Sequence, residues 1–179
     1  MRSLLTPWRY EYLAGPRRTA VDCIFCSAVK PTGADAPRAP GEADLVVHRA
    51  ARNFIILNRY PYANGHMMIV PNEHLASPAA SDHQQRAEMF DLAATCEAAL
   101  REVYAADGIN MGMNLGRAAG AGIESHFHLH IVPRWEGDTN FMTVTADTRI
   151  IPEDFAKTLP RLQTSIRRLL GPGGGERHE

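Results

Sequence analysis

Ser125-His-Phe-His-Leu-His-Ile-Val-Pro133 sets His126, His128 and His130 in alternation with Phe127, Leu129 and Ile131. Successive side chains on a β-strand point to opposite faces. The spacing therefore predicts a strand over 126–133 with three imidazoles on one side and apolar groups entering a core on the other. A face of three histidines is not expected to be a core face, and a plain solvated face would more cheaply carry Thr, Lys or Glu. Two chemical readings remain. His-X-His on a strand is one way to hold a catalytic zinc. Alternatively, imidazole titrates near pH ~6.5, so at neutral pH one ring can be an unprotonated nucleophile while a neighbour supplies a proton. Attack on phosphorus needs that pairing, together with donors for the phosphoryl oxygens.

Immediately upstream, Leu115-Gly-Arg-Ala-Ala-Gly-Ala-Gly122 reads as a glycine-rich loop that can offer backbone N–H groups to an anion. It joins the histidine strand to another expected at 109–115. Short β-type runs at 44–48, 53–58 and 66–71, the last preceded by the turn-forming Tyr60-Pro-Tyr-Ala-Asn-Gly65, read as neighbouring antiparallel strands. Ser81 followed three residues later by Gln84 has the form of a capping box. Apolar side chains then recur at Met89, Leu92, Ala93, Cys96, Leu100 and Val103, which predicts a long helix with Cys96 on its buried stripe. A C-terminal helix is expected from about Pro152 to Leu170, with Pro160 breaking or restarting it, and Gly171-Pro-Gly-Gly-Gly175 stopping it. The order of elements is that of an α+β fold, helices packed against a largely antiparallel five-stranded sheet.

Composition bounds the function classes. The chain has 179 residues, 45% hydrophobic and 22% charged, with a formal net charge of -1. That describes a globular protein able to bury a core without disulfides, and one without the basic excess of a nucleic-acid binder. No window approaches a membrane span, and Met1 to Tyr10 lacks the continuous apolar stretch of a signal peptide. Three cysteines, two of them spaced Cys23-Ile-Phe-Cys26, fit a reducing compartment and a metal or redox pair better than a disulfide framework. A cytoplasmic location is expected. Residues 29–43 are rich in Pro, Gly and Ala without an apolar period and read as a surface loop.

The histidine run resembles the signature of the histidine-triad (HIT) family. The likeness extends through Pro7-Trp-Arg, Cys23-Ile-Phe-Cys26, Leu57-Asn-Arg-Tyr-Pro-Tyr-Ala-Asn-Gly-His66, Asn114-Leu-Gly and Pro133-Arg-Trp-Glu-Gly-Asp-Thr-Asn-Phe141. These motifs are similar to the bacterial branch containing diadenosine tetraphosphate phosphorylases. The resemblance implies a HIT-like fold, with an N-terminal arm at 1–20, a HIT domain at 21–150, a C-terminal helix at 151–170 and a disordered tail at 171–179. It implies a homodimer acting on a nucleotide, adenine favoured, with neither nucleic acid nor membrane as partner. His128 would be the nucleophile that carries the nucleotidyl group, and His130 would contact phosphate and assist the leaving group. Asn58 would hold the ribose hydroxyls, Asn114 and the loop glycines Gly120 and Gly122 would serve the phosphates, and Trp135 would contact substrate or fill a core or dimer contact.

Two departures bear on the acceptor. The resemblance implies Gly-Ser where this chain has Ala121-Gly122, which removes a hydroxyl donor, and His130 stands where transferases of the wider superfamily often carry Gln. Phosphate and water both remain open as acceptors. So do three substrate classes: a dinucleoside polyphosphate such as diadenosine tetraphosphate, a purine nucleoside phosphoramidate, and an adenylyl conjugate. A nucleotide-binding regulatory module with incidental turnover is the non-enzymatic alternative.

Cys23 and Cys26 have the spacing of a zinc knuckle, but a structural zinc takes four ligands and there is no second Cys pair. The family resemblance implies that His74 and His126 complete a structural Zn2+ site. The alternatives are two unmetallated cysteines or a redox pair. A thioredoxin-type motif opens a helix, whereas Cys26 is expected to pass into the Pro/Gly-rich loop.

Overall fold

The β-branched and aromatic runs ahead of residue 72 form three strands, β1 (Val46–Arg49), β2 (Asn53–Leu57) and β3 (Met67–Pro71); such residues pack well on a pleated surface. Two later strands, β4 (Gly108–Gly112) and β5 (Leu129–Arg134), complete a five-stranded antiparallel sheet in the order β1-β2-β3-β5-β4. The computed structural model describes residues 23–29, 45–138 and 153–171. The expected arm at 1–20, the loop at 29–43 apart from Val29, and the tail beyond Gly171 lie outside the described residues.

Strand alternation builds two apolar layers. Ile55 and Leu57 of β2, Met67 and Ile69 of β3, and Leu129 and Ile131 of β5 meet α2 (His83–Tyr104) and α3 (Phe155–Leu170) in one core. Each large side chain buried there contributes about 1.5–3 kcal/mol. Phe54, Met68 and Val70 turn to the opposite face and pack with Cys23 and with Phe25 of the short helix α1 (Ile24–Val29). Two helices therefore cover one face, while the other carries α1 and the histidines.

Three local expectations are corrected. The capping residue of α2 is Asp82, not Ser81: the Asp82 carboxylate accepts the Gln85 N–H at 2.7 Å. A preceding 3-10 turn, Pro78–Ala80, draws the Ser81 hydroxyl back to the Pro78 carbonyl at 2.7 Å. Pro160 neither breaks nor restarts α3, which runs continuously from its Asp154 cap. Proline offers no N–H to the carbonyl four residues back; that residue, Ala156, is exposed, so water can satisfy it. The strand bounds differ from those expected by one to three residues. β5 begins at Leu129, three residues later than expected, so that His126, Phe127 and His128 approach the sheet without joining its ladder.

The turn before β3 is fixed by close approach. Gly65 has φ +75°, and a Cβ there would stand 2.8 Å from Leu100 Cδ2 and 2.9 Å from Tyr104 Cε2. Glycine alone lets this turn press against α2 and deliver His66 to the start of β3.

Candidate active site and metal centre

Contrary to the sequence expectation, Cys23 and Cys26 do open a helix, α1, which puts their sulfurs one turn apart on one side. His74, just beyond β3, and His126, just ahead of β5, converge on them. The Cys26 Sγ to His74 Nδ1 distance is 3.1 Å, and His126 Nδ1 lies 3.4 Å from Cys23 Sγ and 3.6 Å from Cys26 Sγ. The four ligand atoms lie within 4.8 Å of one another. A tetrahedral zinc, with bonds of about 2.3 Å to sulfur and about 2.0–2.1 Å to nitrogen, separates neighbouring ligand atoms by about 3.3–3.8 Å. His126 Nε2 donates to the Pro71 carbonyl at 3.0 Å. A carbonyl can only accept, so that ring carries its proton on Nε2 and presents a bare Nδ1 to the centre. The residues fit a structural metal, and redox chemistry leaves the two imidazoles without a purpose.

The other histidines form a second group beside the first. His128 Nδ1 donates to the His126 carbonyl at 3.0 Å, which leaves Nε2 as the ring's lone pair. The His128 and His130 rings are 4.8 Å apart at 74°. His130 Nδ1 lies 3.0 Å from Nε2 of His66, and His66 Nδ1 accepts the Tyr62 backbone N–H at 3.1 Å. That last bond sets the direction of the chain. Since His66 Nδ1 accepts, its Nε2 holds the proton and donates to His130 Nδ1, which places the His130 proton on Nε2.

Burial corrects the expectation that the histidine face is not a core face: His126 is 0% and His128 7% exposed, beneath Phe25 of α1, while His130 is half-buried. Desolvation of the charged form, reinforced by repulsion from His128, pushes the pKa of His130 down to about 4. Burial also brings His126 to about 4, and it lowers His128. Neutral imidazoles at pH 7 are the state required of a nitrogen nucleophile and of metal ligands.

The remaining predicted residues are distributed unevenly. Asn114 and His130 line an open cleft of about 340 Å³ together with Tyr62, Asn110, Val132 and Arg134. Asn58 borders His66: its amide nitrogen lies 3.3 Å from His66 Nδ1, and its oxygen accepts the Tyr60 N–H at 3.0 Å. The phosphate-cradling loop is corrected in part. The amides of Ala119 and Ala121 both donate to the Gly116 carbonyl and that of Gly120 to the Arg117 carbonyl, so these three N–H groups close the loop on itself. Trp135 is half-buried and donates its indole N–H to the Tyr104 carbonyl at 3.1 Å. It alternates along the chain with His130, Val132 and Arg134 and does not line the cleft.

Residues 41–137 match the HIT domain. The chain belongs to the HIT family. Among HIT relatives, an AP-4-A phosphorylase of Mycobacterium tuberculosis is 32% identical over 168 residues, covering 94% of this chain and 86% of that protein. The adenylylsulfatase HINT3 of Arabidopsis thaliana is 29% identical over 150 residues, covering 83% and 70%. A Zn-bound histidine triad protein from Mycobacterium smegmatis superposes with a TM-score of 0.64 at 27% identity, over 84% of this chain and 97% of that one. A hypothetical histidine triad nucleotide-binding protein from Sulfolobus tokodaii gives 0.65 at 25% identity, over 88% and 100%.

Within this HIT domain, sequence reasoning passed over His66. The residue closes a quoted motif, yet nothing in the spacing ties it to a triad 60 residues away. The usable signal is register: Met68 pairs with His130 across β3 and β5, so His66 enters the sheet beside the triad. Its burial, 1% exposed, marks it as a supporting member of the group.

Proposed function

We propose that the protein is a nucleotidyltransferase or hydrolase that cleaves a dinucleoside polyphosphate, diadenosine tetraphosphate favoured, through a covalent nucleotidyl-His128 intermediate. The observation that carries this reading is the hydrogen bond from His128 Nδ1 to the His126 carbonyl, which leaves Nε2 unprotonated and buried beside a second neutral imidazole. The M. tuberculosis relative named as an AP-4-A phosphorylase supports the choice of substrate.

The lone pair of His128 Nε2 attacks the α-phosphorus, a P–N bond forms, and the P–O bond to the bridging oxygen breaks. His130 Nε2–H donates a hydrogen bond to the departing oxygen, which leaves as the anionic terminal phosphate of ATP. In the return step the acceptor attacks phosphorus, the P–N bond breaks and returns the lone pair to His128 Nε2, and any proton the acceptor carried passes to solvent. Phosphate as acceptor yields ADP, and water yields AMP. Splitting one displacement into two through an activated nucleophile is ordinary covalent catalysis.

Asn58, Asn114, Gly120 and Gly122 serve this reading as contacts to ribose and phosphates, with Gly120 acting through its turn rather than its amide. Trp135 serves as a brace on the end of α2. The Cys23, Cys26, His74 and His126 set would hold Zn2+, which supplies cross-linking of α1 to the histidine segment. The edge of β4, which pairs with no further strand among the described residues, is a surface through which two copies can join as the expected homodimer, and a cysteine pair serving as metal ligands suits the cytoplasm.

Incubation with diadenosine tetraphosphate, with and without phosphate, tests the proposal. ATP accompanied by ADP or AMP supports it. An adenylyl conjugate is the second reading, favoured by the adenylylsulfatase relative; turnover of adenylyl sulfate with no cleavage of the dinucleotide would replace the first.

A further inference from the structure

Phe25 stands between the two cysteines of Cys23-Ile-Phe-Cys26 and is 1% exposed. Its ring meets His126 edge-on with centroids 5.4 Å apart and meets His128 at 5.0 Å with a 53° tilt. One side chain thus touches a residue of the cysteine–histidine centre and the ring assigned as nucleophile. The second tie between these groups is the bond from His128 Nδ1 to the His126 carbonyl. Helix α1 has six residues, far below the roughly 12–15 at which an isolated helix holds its shape in water. Its position therefore depends on what its side chains grip: the cysteines at the centre and Phe25 in the layer with Phe54, Met68 and Val70.

We propose that Phe25 is a positioning residue: held in place by the cysteines on either side, its ring fixes the imidazole of His128, so the integrity of the Cys23/Cys26/His74/His126 centre determines how well the nucleophile is aimed. This rests on the reading of His128 as nucleophile. An edge or tilted contact restricts ring rotation by packing alone. The Nδ1–H bond fixes which nitrogen points at the substrate, and Phe25 fixes the plane in which it points. A displacement of about 1 Å at a reacting atom can cost about 10²-fold in rate, so a small shift of α1 is sufficient to be read in turnover.

The test uses Phe25→Leu, which keeps apolar bulk and removes the ring, and Phe25→Met as a second variant should the first not fold. Zinc content, KM, kcat and the tautomer of His128 by 15N NMR are measured at fixed pH, with chelated wild type alongside. The expected result is retained zinc, KM within about threefold and kcat reduced by roughly tenfold or more. The His128 signals should move from a single Nδ1–H form toward a mixture, and chelation of the wild type should move the same signals. Phe54→Leu is the control, since Phe54 is 0% exposed in the same layer and makes no ring contact with a histidine among the described residues. A higher KM with kcat unchanged would make Phe25 a mere wall of the site and overturn the proposal. So would unmoved His128 signals, or an equal loss of kcat in Phe54→Leu. If wild type never carries nucleotide on His128, the functional reading fails instead, and the NMR comparison still decides the positioning role.

Discussion

Replacing His66 by alanine removes a group that touches no reacting atom in the proposed mechanism, and the structure states what the loss should do. His66 Nε2 sits 3.0 Å from His130 Nδ1, and its own Nδ1 is committed to the Tyr62 backbone N–H at 3.1 Å. In His66→Ala the His130 Nδ1 acceptor is left without that donor inside a half-buried site. An orphaned buried acceptor costs about 1–3 kcal/mol, and the proton of His130 becomes free to settle on Nδ1 instead of Nε2. Only the Nε2–H tautomer can donate a hydrogen bond to the leaving oxygen, so the whole penalty falls on the step in which that oxygen departs. At about 1.4 kcal/mol per tenfold, kcat should drop roughly 5- to 150-fold, with KM little changed. Steady-state kinetics on diadenosine tetraphosphate read this directly. His66→Gln, whose carboxamide can accept from Tyr62 N–H and donate to His130 at once, should recover part of the loss. A kcat for His66→Ala within twofold of wild type would refute the assigned tautomer chain, as would a loss confined to KM.

Other outcomes follow from single positions. Gly65→Ala should be strongly destabilising, by roughly 1–3 kcal/mol in urea unfolding, because its Cβ would lie 2.8 Å from Leu100 and the backbone has φ +75°; wild-type stability would disprove the close approach. Ala105→Gly should raise stability by about 1 kcal/mol, since Ala105 ends α2 at φ 49°, a conformation that costs an L-residue about 1–2 kcal/mol; a thermal melt showing no gain would contradict it. Stability should also fall on acidification. His126 and His130 are held at about 4 by burial, so between pH 6.5 and 4 the unfolded chain takes up protons that the folded chain refuses. Their contribution is complete above about pH 6.5 and is lost as pH drops through about 4; a melting temperature that is flat or rising over that interval would show that these rings are not buried neutral.

Much of this was legible in the sequence because period and turn chemistry are local. The alternation at 126–133 located the site, the spacing of Met89, Leu92, Cys96 and Leu100 located α2, and the antiparallel pairing of β1, β2 and β3 followed from their short connections, whereas the insertion of β5 between β3 and β4 did not. The metal cluster was legible only through family resemblance, since Cys23 and His126 are 103 residues apart. What escaped reading was set by tertiary contacts. The burial of the histidine row escaped reading because nothing in Ser125–Pro133 announces that Phe25 will lie over it. Ser81 and Asp82 are both good capping residues, and the preceding proline turn decided between them. Three loop amides expected to cradle phosphate instead close on Gly116 and Arg117, a choice made by two glycines with positive φ rather than by composition.

The central claim is that His128 becomes covalently nucleotidylated. A rapid quench of the enzyme with diadenosine tetraphosphate labelled on the α-phosphorus, followed by peptide mapping, measures this directly. The label should appear on the peptide bearing His128 within the first turnover, stable to base and lost in acid as a phosphoramidate is. His128→Ala should bind the nucleotide within about tenfold of wild type yet acquire no label and turn over no substrate. Label on another residue, or near-normal turnover by His128→Ala, would contradict the account.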